Sequence, residues 1–180
     1  MPTIYDEPFA DSSQLPTYML SKLAQQNVSV CLSGDGGDEI FCGYNRYIQS
    51  NKFIKGNFYF RKIISEIIFL LSPKQIERFY SLFKPLIIDT LHSSNPVNHL
   101  YKIANLLKSK NDFELYDKLI SVIQNVNLLT NNPINNIENI KPFDNELNFV
   151  ENMMFNDTVS YLPDDILCKV DRSSMAVSLE

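Results

Sequence analysis

Helical periodicity dominates the hydrophobic pattern of the chain. Apolar residues recur at helical spacing from Leu15 to Leu23, which predicts an amphipathic helix that begins after residues 11–13. This helix ends near Gln26, and the next segment, residues 28–32, is a short apolar run with β-branched members. Such a run is typical of a strand covered on both faces. A helix joined closely to a strand is the repeating unit of a parallel α/β sheet.

Beyond this strand the pattern predicts only helices and loops. A second helix is predicted to begin near Glu39 and to run past Tyr47. Residues 52 to about 131 carry apolar positions at spacings of three and four, interrupted by prolines and polar runs, so this region is predicted to be mostly helical. Residues 125–148 are rich in asparagine, so we expect a long surface excursion there. A last helix is predicted at about 147–160, followed by a helical turn that begins at Pro163.

The predicted fold class is therefore α/β, mostly α-helical, with one recognisable parallel strand. A lone parallel strand leaves backbone N–H and C=O groups unpaired on both sides, and buried unpaired groups are rare in native folds. We therefore expect residues 1–180 to form part of a larger protein whose other strands lie upstream.

Composition excludes several classes of protein. The hydrophobic and charged fractions, 44% and 21%, are ordinary for a soluble domain. A net charge of −5 without a Lys/Arg cluster argues against nucleic-acid binding. The apolar segment 63–71 is too short to span a membrane. Cys31, Cys42 and Cys168 are widely spaced, so reduced thiols and a cytoplasmic location are expected.

The strand is followed by a glycine-rich acidic segment, residues 33–39, which we call the site turn. It reads Ser-Gly-Asp-Gly-Gly-Asp-Glu and precedes a predicted helix. Parallel sheets bind ligands at the carboxyl ends of their strands, and a helix N-terminus favours anions such as phosphate. Carboxylates beside phosphate require a divalent cation, which indicates a nucleotide–Mg²⁺ site. The other interpretation left open by local chemistry is that Asp38 and Glu39 only stabilise the helix N-terminus.

Three blocks of sequence occur in an order that resembles a known family. They are Asp-Glu-Pro-Phe-Ala-Asp-Ser-Ser-Gln-Leu-Pro-Thr at 6–17, Leu-Ser-Gly-Asp-Gly-Gly-Asp-Glu with Gly-Tyr-Asn-Arg-Tyr at 32–47, and Tyr-Leu-Pro-Asp-Asp-Ile-Leu-Cys-Lys-Val-Asp-Arg-Ser-Ser-Met-Ala-Val-Ser-Leu-Glu at 161–180. Together they resemble the synthetase domain of glutamine-hydrolysing asparagine synthetase.

The resemblance implies a partial PP-loop ATPase fold, of the adenine-nucleotide alpha-hydrolase type, and a ligase activity. Its substrates would be aspartate and ATP, with Mg²⁺ as the cofactor. Aspartate would be adenylated on its side-chain carboxylate, with release of pyrophosphate. Ammonia, released from glutamine by a separate glutaminase domain, would then displace AMP to give asparagine. The resemblance also leaves open a homodimer of the full-length enzyme, and no membrane partner is implied.

The resemblance assigns roles to four residues of the site turn. Ser33 and Gly34 would contact the nucleotide, and Asp38 would be a Mg²⁺ ligand. Asp35 would occupy the acidic catalytic position that serves formation or use of the acyl-adenylate. Many relatives have Glu at this position, so the side chain here is one methylene shorter.

Other charged residues have competing interpretations. Asp165 and Lys169 are four residues apart, which favours an exposed helix-surface pair. We expect Asp171 and Arg172 to form a local charge network at the wall of the site.

Five more ionisable residues are candidates for the substrate pocket or for metal binding. Asp6, Glu7 and Asp11 are candidates for the pocket, although helix capping explains Asp11 equally well. His92 and His99 lack companion ligands, so we expect a surface or core role for each.

Three alternative functions remain open at this point. The same fold could amidate another carboxylate, such as a sugar uronate in polysaccharide synthesis, or form a β-lactam. A non-catalytic helical interaction module belongs to a different class of function. The hypothesis that the site turn is a calcium-binding loop has less support, because the turn does not match the D-x-[DN]-x-[DN]-G pattern.

The chain also lacks features of the family, and this generates a prediction. It contains neither a Ser-Gly-Gly-x-Asp-Ser pyrophosphate loop nor an N-terminal catalytic Cys. The lysine that the family pattern places beyond residue 180 is also missing from the sequence. We expect the purified 180-residue chain neither to hydrolyse glutamine nor to form asparagine. The measurement is amino-acid analysis after incubation with ATP, Mg²⁺, aspartate and either glutamine or ammonia. Formation of asparagine would contradict the prediction.

Overall fold

A computed structural model describes residues 4–5, 9–54, 56–83, 95–121 and 141–180. The chain divides into two compact units. Unit 1 comprises Met1–Tyr47 and Ile137–Glu180, and unit 2 comprises Ile48–Asn136.

The described helices account for nearly all the regular structure. Those of unit 1 are α1 (Gln14–Ala24), α2 (Gly37–Ile40), the start of α3 (Asn45–Ile54), α8 (Phe149–Val159), a π-helix (Leu162–Leu167) and α9 (Cys168–Met175). Those of unit 2 are the rest of α3, α4 (Phe58–Leu70), α5 (Pro73–Phe83), α6 (Pro96–Leu107) and α7 (Asp112–Ile120). None of these helices is long and apolar enough to cross a membrane.

Asparagine residues begin four of these helices. The side chains of Asn57, Asn95, Asn111 and Asn148 each accept a hydrogen bond from a backbone N–H in the first turn of α4, α6, α7 and α8. Glu151 completes a capping box on α8, because its carboxylate accepts from the Asn148 N–H at 2.8 Å. Caps of this kind satisfy backbone donors that a helix start leaves free.

Unit 2 is organised by the packing of α4 against α6. The Ser65 hydroxyl donates to the Ala104 carbonyl at 2.6 Å, so the two helices approach closely at a small polar contact. Arg61 is buried and donates to the carbonyl oxygens of Phe53 at 2.9 Å and Ser109 at 3.2 Å. This side chain satisfies backbone acceptors at helix ends that would otherwise be buried without a donor.

In unit 1, α1 packs against α9, and α8 turns polar side chains inward. The Asn152 amide donates to the Asp144 carbonyl at 2.9 Å and accepts from the Asp144 N–H at 2.7 Å. Asn156 accepts from the Lys141 N–H at 2.7 Å. These two amides hold the irregular segment 141–148 through its backbone, which explains why a buried face of α8 can be polar.

The predicted strand at residues 28–32 is not confirmed, because the described residues contain no strand. The Cys31 N–H donates to the Glu180 carbonyl at 2.6 Å, and the Glu180 N–H donates to the Ser29 carbonyl at 2.9 Å. This arrangement is one rung of a parallel ladder. The expected cover on both faces is wrong for this structure, since Leu32 is 95% exposed and Val30 is also exposed. One rung alone does not form a regular strand.

Several predicted helices are confirmed. The first is α1, the helix predicted at about 147–160 is α8, and the turn at Pro163 is the π-helix. Much of the predicted surface excursion lies outside the described residues. The PP-loop fold is not confirmed.

The single helix predicted from Glu39 past Tyr47 is wrong, because the structure has two helices there, α2 and α3. The break follows from the way α2 ends. Cys42 adopts a left-handed φ of 61°, and the Gly43 N–H donates to the Asp38 carbonyl at 2.9 Å. This is the hydrogen bond of a Schellman cap, in which the left-handed position is usually glycine.

We predict that Cys42→Gly stabilises the protein. A left-handed φ costs a non-glycine residue roughly 1–2 kcal/mol, and glycine removes that cost. Glycine also destabilises the folded state by roughly 0.5–1 kcal/mol, because it loses more conformational entropy on folding. The expected gain is about 0.5–1 kcal/mol, measured as a higher urea midpoint under reducing conditions. Cys168→Gly is the matched control, because Cys168 has an ordinary helical φ of −57° and glycine should lower the midpoint there. An unchanged or lower midpoint for Cys42→Gly would contradict the prediction.

Candidate functional site

The site turn leaves the extended segment and enters α2 through glycine. The Gly37 N–H donates to the Gly34 carbonyl at 3.2 Å, which closes the turn. Gly36 is the residue before α2 and has a φ of 87°, which only glycine adopts without strain. A Cβ on Gly36 would lie 3.5 Å from Leu162, so the turn rests on the π-helix.

The four predicted site residues lie in this one turn and are all exposed. The Ser33 hydroxyl donates to the Asp35 carboxylate at 2.6 Å, which fixes these two side chains relative to each other. Within the described part of the chain, the Asp38 carboxylate forms no hydrogen bond and no ion pair. A Cβ on Gly34 would meet nothing within 4 Å. The turn thus presents a hydroxyl and two carboxylates to solvent beside open space.

Glu39 differs from its neighbour Asp38. It is 1% exposed, and its carboxylate accepts a hydrogen bond from the Tyr44 hydroxyl at 2.6 Å. Burial, and then the hydrogen bond and negative charge of Glu39, raise the pKa of the Tyr44 phenol. The interpretation as a structural residue therefore holds for Glu39, while Asp38 remains available to a ligand.

A buried ion pair holds the start of α3 to α8. Asp157 is 0% exposed, and its carboxylate accepts from Arg46 at 2.9 Å and from the Tyr47 hydroxyl. Burial, and then the hydrogen bond and charge of Asp157, raise the pKa of Tyr47. The guanidinium also lies over the rings of Tyr44 and Tyr161, at 4.3 and 5.1 Å from their centroids. Cation–π contacts of this kind add to the ion pair.

Sequence reasoning missed this cluster. Arg46 and its flanking tyrosines belong to a family block to which the resemblance assigns no role for them, and Asp157 lies outside the three blocks. No local signal identifies Asp157, because its partners lie 110 and 111 residues away. The only available hint is a charged residue inside the predicted last helix.

The predicted surface pair between Asp165 and Lys169 is wrong. Lys169 is only 8% exposed, and its ammonium donates to the Asp11 carboxylate at 2.9 Å and to the Ser13 hydroxyl at 2.8 Å. Asp165 accepts a hydrogen bond from Tyr161 instead, and burial followed by the charge of Asp11 raises its pKa. Lys169 thus joins α9 to the start of α1.

Asp11 stabilises the turn that precedes α1, although the N-cap residue of that helix is Ser13, which has no side-chain cap hydrogen bond. The Asp11 carboxylate accepts from the Ser13 N–H at 2.8 Å and from the Ser13 hydroxyl at 2.6 Å, just before α1. Burial alone would raise the pKa of Asp11, but the hydrogen bonds from Ser13 and Lys169 and the charge of Lys169 lower it to about 2.

The remaining candidates are placed as follows. Asp6, Glu7 and His92 lie outside the described residues. His99 is exposed on α6, which fits the expected surface role.

Asp171 and Arg172 are both exposed on α9. Their charge network stays a prediction.

The fit of the implied Mg²⁺ can be tested on the donor set. The described residues contain no group of three or more His, Cys, Asp or Glu side chains that could hold a metal ion. Mg²⁺ does not need one, because it is usually bound through one or two carboxylates together with substrate phosphates and water. The exposed and unpartnered Asp38 carboxylate fits that requirement as a single protein ligand.

Comparisons with known proteins point to one family. The family model described as "Asparagine synthase" matches residues 1–180. A putative asparagine synthetase [glutamine-hydrolyzing] 2 of Methanocaldococcus jannaschii is 56% identical over 46 residues, which is 26% of this chain and 9% of that protein. Asparagine synthetase [glutamine-hydrolyzing] 1 of Bacillus subtilis is 49% identical over 43 residues, 24% of this chain and 7% of that protein. The matched segments span less than a tenth of these curated relatives. No solved structure matches significantly.

The Asp11–Lys169 contact predicts a pH dependence of stability. Because the pKa of Asp11 falls from 3.8 to about 2 on folding, its stabilising effect is complete above about pH 4 and is lost as the pH falls toward 2. After allowance for solvent screening, we expect this contribution to be roughly 1–2 kcal/mol. Asp11→Asn should lower the urea midpoint at pH 7 and weaken its dependence on pH between about 4 and 2. Asp171→Asn, an exposed carboxylate on α9, is the control, and an equal pH dependence in both variants would contradict the prediction.

Proposed function

The chain belongs to the asparagine synthase family, and from this premise we propose that it carries part of the ATP site of a glutamine-dependent amidotransferase. The enzyme would adenylate the side-chain carboxylate of aspartate and convert the product to asparagine, AMP and pyrophosphate. Family membership and relatives with the printed name asparagine synthetase [glutamine-hydrolyzing] support this reaction. Since the matches span less than a tenth of those relatives, the activity of the whole protein is part of the proposal.

The observation that carries the proposal is the contrast between two adjacent carboxylates on α2. Glu39 is buried against Tyr44, whereas Asp38 is exposed and has no partner within the described residues. An exposed carboxylate that follows a glycine turn at the start of a helix can bind a metal ion that also contacts the phosphates of a substrate. In this proposal Asp38 holds Mg²⁺, which when bound would offset negative charge on the departing pyrophosphate.

The first chemical step needs alignment more than covalent help from the protein. An oxygen of the aspartate side chain forms a bond to the α-phosphorus of ATP, and the bond from that phosphorus to the pyrophosphate oxygen breaks. Ser33 and Gly34 would contact the nucleotide, where the open space beside Gly34 allows the backbone to approach a phosphate.

In the second step ammonia forms a bond to the acyl carbon, the bond to AMP breaks, and the nitrogen loses a proton. Asp35 is the proposed acidic residue for this stage, because a carboxylate can accept that proton or hold the amine. The Ser33 hydroxyl already donates to Asp35 at 2.6 Å, so the carboxylate is oriented before a substrate binds. Because the Asp35 side chain is one methylene shorter than glutamate, its carboxylate lies closer to the backbone than a glutamate carboxylate would.

The alternative functions have less support. Amidation of another carboxylate would use the same ATP residues, but the relatives are named for asparagine. A non-catalytic helical module would not require the exposed donors of the site turn. A glutaminase domain as ammonia source, a homodimer and a cytoplasmic location stay predictions.

The decisive variant is Asp38→Asn in the complete gene product that contains these residues. Loss of the charge should lower ATP–pyrophosphate exchange and asparagine formation by roughly two orders of magnitude, since a preorganised electrostatic contact to the transition state is removed. The Mg²⁺ concentration required for half-maximal rate should also rise. Glu66→Gln, an exposed carboxylate in unit 2, is the control. A full rate with an unchanged Mg²⁺ requirement would refute the role of Asp38, and aspartate-independent turnover would refute the substrate.

A further inference from the structure

We propose that Gly43 is a positioning residue for the Asp38 carboxylate, because only a residue without a Cβ leaves room for that carboxylate where it lies. The inference rests on the proposed function, in which Asp38 holds Mg²⁺. It adds a residue outside the site turn to the metal site.

The geometry at Gly43 is tighter than at the other described glycines. A Cβ built on Gly43 would overlap Oδ1 of Asp38, and it would lie 2.8 Å from Cγ and 3.0 Å from the backbone Cα of the same residue. Both distances are below the roughly 3.5–4.0 Å at which carbon atoms pack favourably. Any side chain at this position therefore collides with the carboxylate in its present orientation.

Space, and not backbone conformation, is what requires glycine here. Gly36 and Gly56 have left-handed φ angles of 87° and 95°, so glycine is explained there by conformation. Gly43 has no such angle, and its backbone could be adopted by any residue.

The contact is fixed from both sides. The Gly43 N–H donates to the Asp38 carbonyl at 2.9 Å, and the next residue, Tyr44, donates to Glu39 at 2.6 Å. Residues 43–44 are therefore tied to residues 38–39 by backbone and side chain. Because the backbone is held in this way, a methyl group at position 43 would displace the short Asp38 side chain.

Displacement matters because of the metal. Mg²⁺ requires near-ideal octahedral geometry with short metal–oxygen distances of about 2.0–2.1 Å, so a redirected carboxylate is a poor ligand even though its charge remains. Gly43→Ala should therefore weaken metal binding without changing any charge in the site. Asp38→Asn changes the charge and leaves the space unchanged, so the two variants separate geometry from charge.

The experiment measures Mn²⁺ binding to the complete gene product in the presence of ATP, by the electron paramagnetic resonance signal of free Mn²⁺. Binding of metal-free ATP is measured in parallel. Gly43→Ala should raise the Kd for Mn²⁺ by about tenfold or more, with metal-free ATP binding unchanged within about twofold. High Mg²⁺ should restore much of the ATP–pyrophosphate exchange rate, which it would not do for a misfolded variant. Cys42→Ala is the matched control, because it changes the same cap without adding an atom beside Asp38.

The outcomes separate the two proposals. Loss of Mn²⁺ binding in Asp38→Asn with wild-type binding in Gly43→Ala would overturn the role of Gly43 and leave the proposed function standing. Equal Mn²⁺ binding by wild type and Asp38→Asn would overturn the metal role of Asp38, and with it the premise of this inference.

A stability cycle decides the matter if Gly43→Ala folds poorly. The collision involves the Asp38 carboxylate, so Gly43→Ala should lower the urea midpoint in the wild-type background and much less in an Asp38→Ala background. An equal loss in both backgrounds would overturn the inference, because the conflict would then lie with the backbone.

Discussion

The buried charge of Asp157 is the constraint on which unit 1 depends. A carboxylate removed from water is very unfavourable unless it is paired and hydrogen-bonded. Arg46 and Tyr47 supply those partners, and both come from the first turn of α3. The α2–α3 corner therefore has one arrangement relative to α8 that satisfies Asp157. The site turn immediately precedes that corner, so its direction is set by a residue far away in sequence.

A second ion pair acts in the same way within unit 1. Lys169 joins α9 to the start of α1 through Asp11 and Ser13, and Tyr5 contacts the same helix through Ser173 at 3.0 Å. The Asp11–Lys169 pair connects the first and third family blocks, and the Arg46–Asp157 pair connects the second block to α8. The residues that carry the resemblance thus include residues that assemble the unit, whereas Ser33, Asp35 and Asp38 of the site turn present their polar groups to solvent.

Local chemistry explains what could be predicted, and long-range pairing explains what could not. The spacing of apolar residues indicates α1, and the capping box of Asn148 and Glu151 marks the start of α8, so nearby residues were sufficient for both. The break between α2 and α3 depends on the left-handed Cys42, a residue that ordinarily avoids this conformation. The partners of Lys169 and Asp157 lie 158 and 111 residues away, and no periodicity encodes such distances. Local spacing predicts a surface pair between Lys169 and Asp165, but Lys169 pairs instead with the distant carboxylate of Asp11.

The glycines around α2 show why a glycine-rich motif cannot be read as one signal. Gly36 is explained by backbone conformation, Gly43 by the space that Asp38 occupies, and Gly34 by neither, since it has an ordinary φ and open surroundings. A glycine that its own fold does not require is free to allow the close approach of a ligand, which is the role proposed for Gly34. The same reasoning separates the adjacent carboxylates, because Glu39 is accounted for by Tyr44 and Asp38 has no partner within the described residues. Those residues of the site turn that the fold does not explain are therefore the ones to which the proposed function assigns ligand contacts.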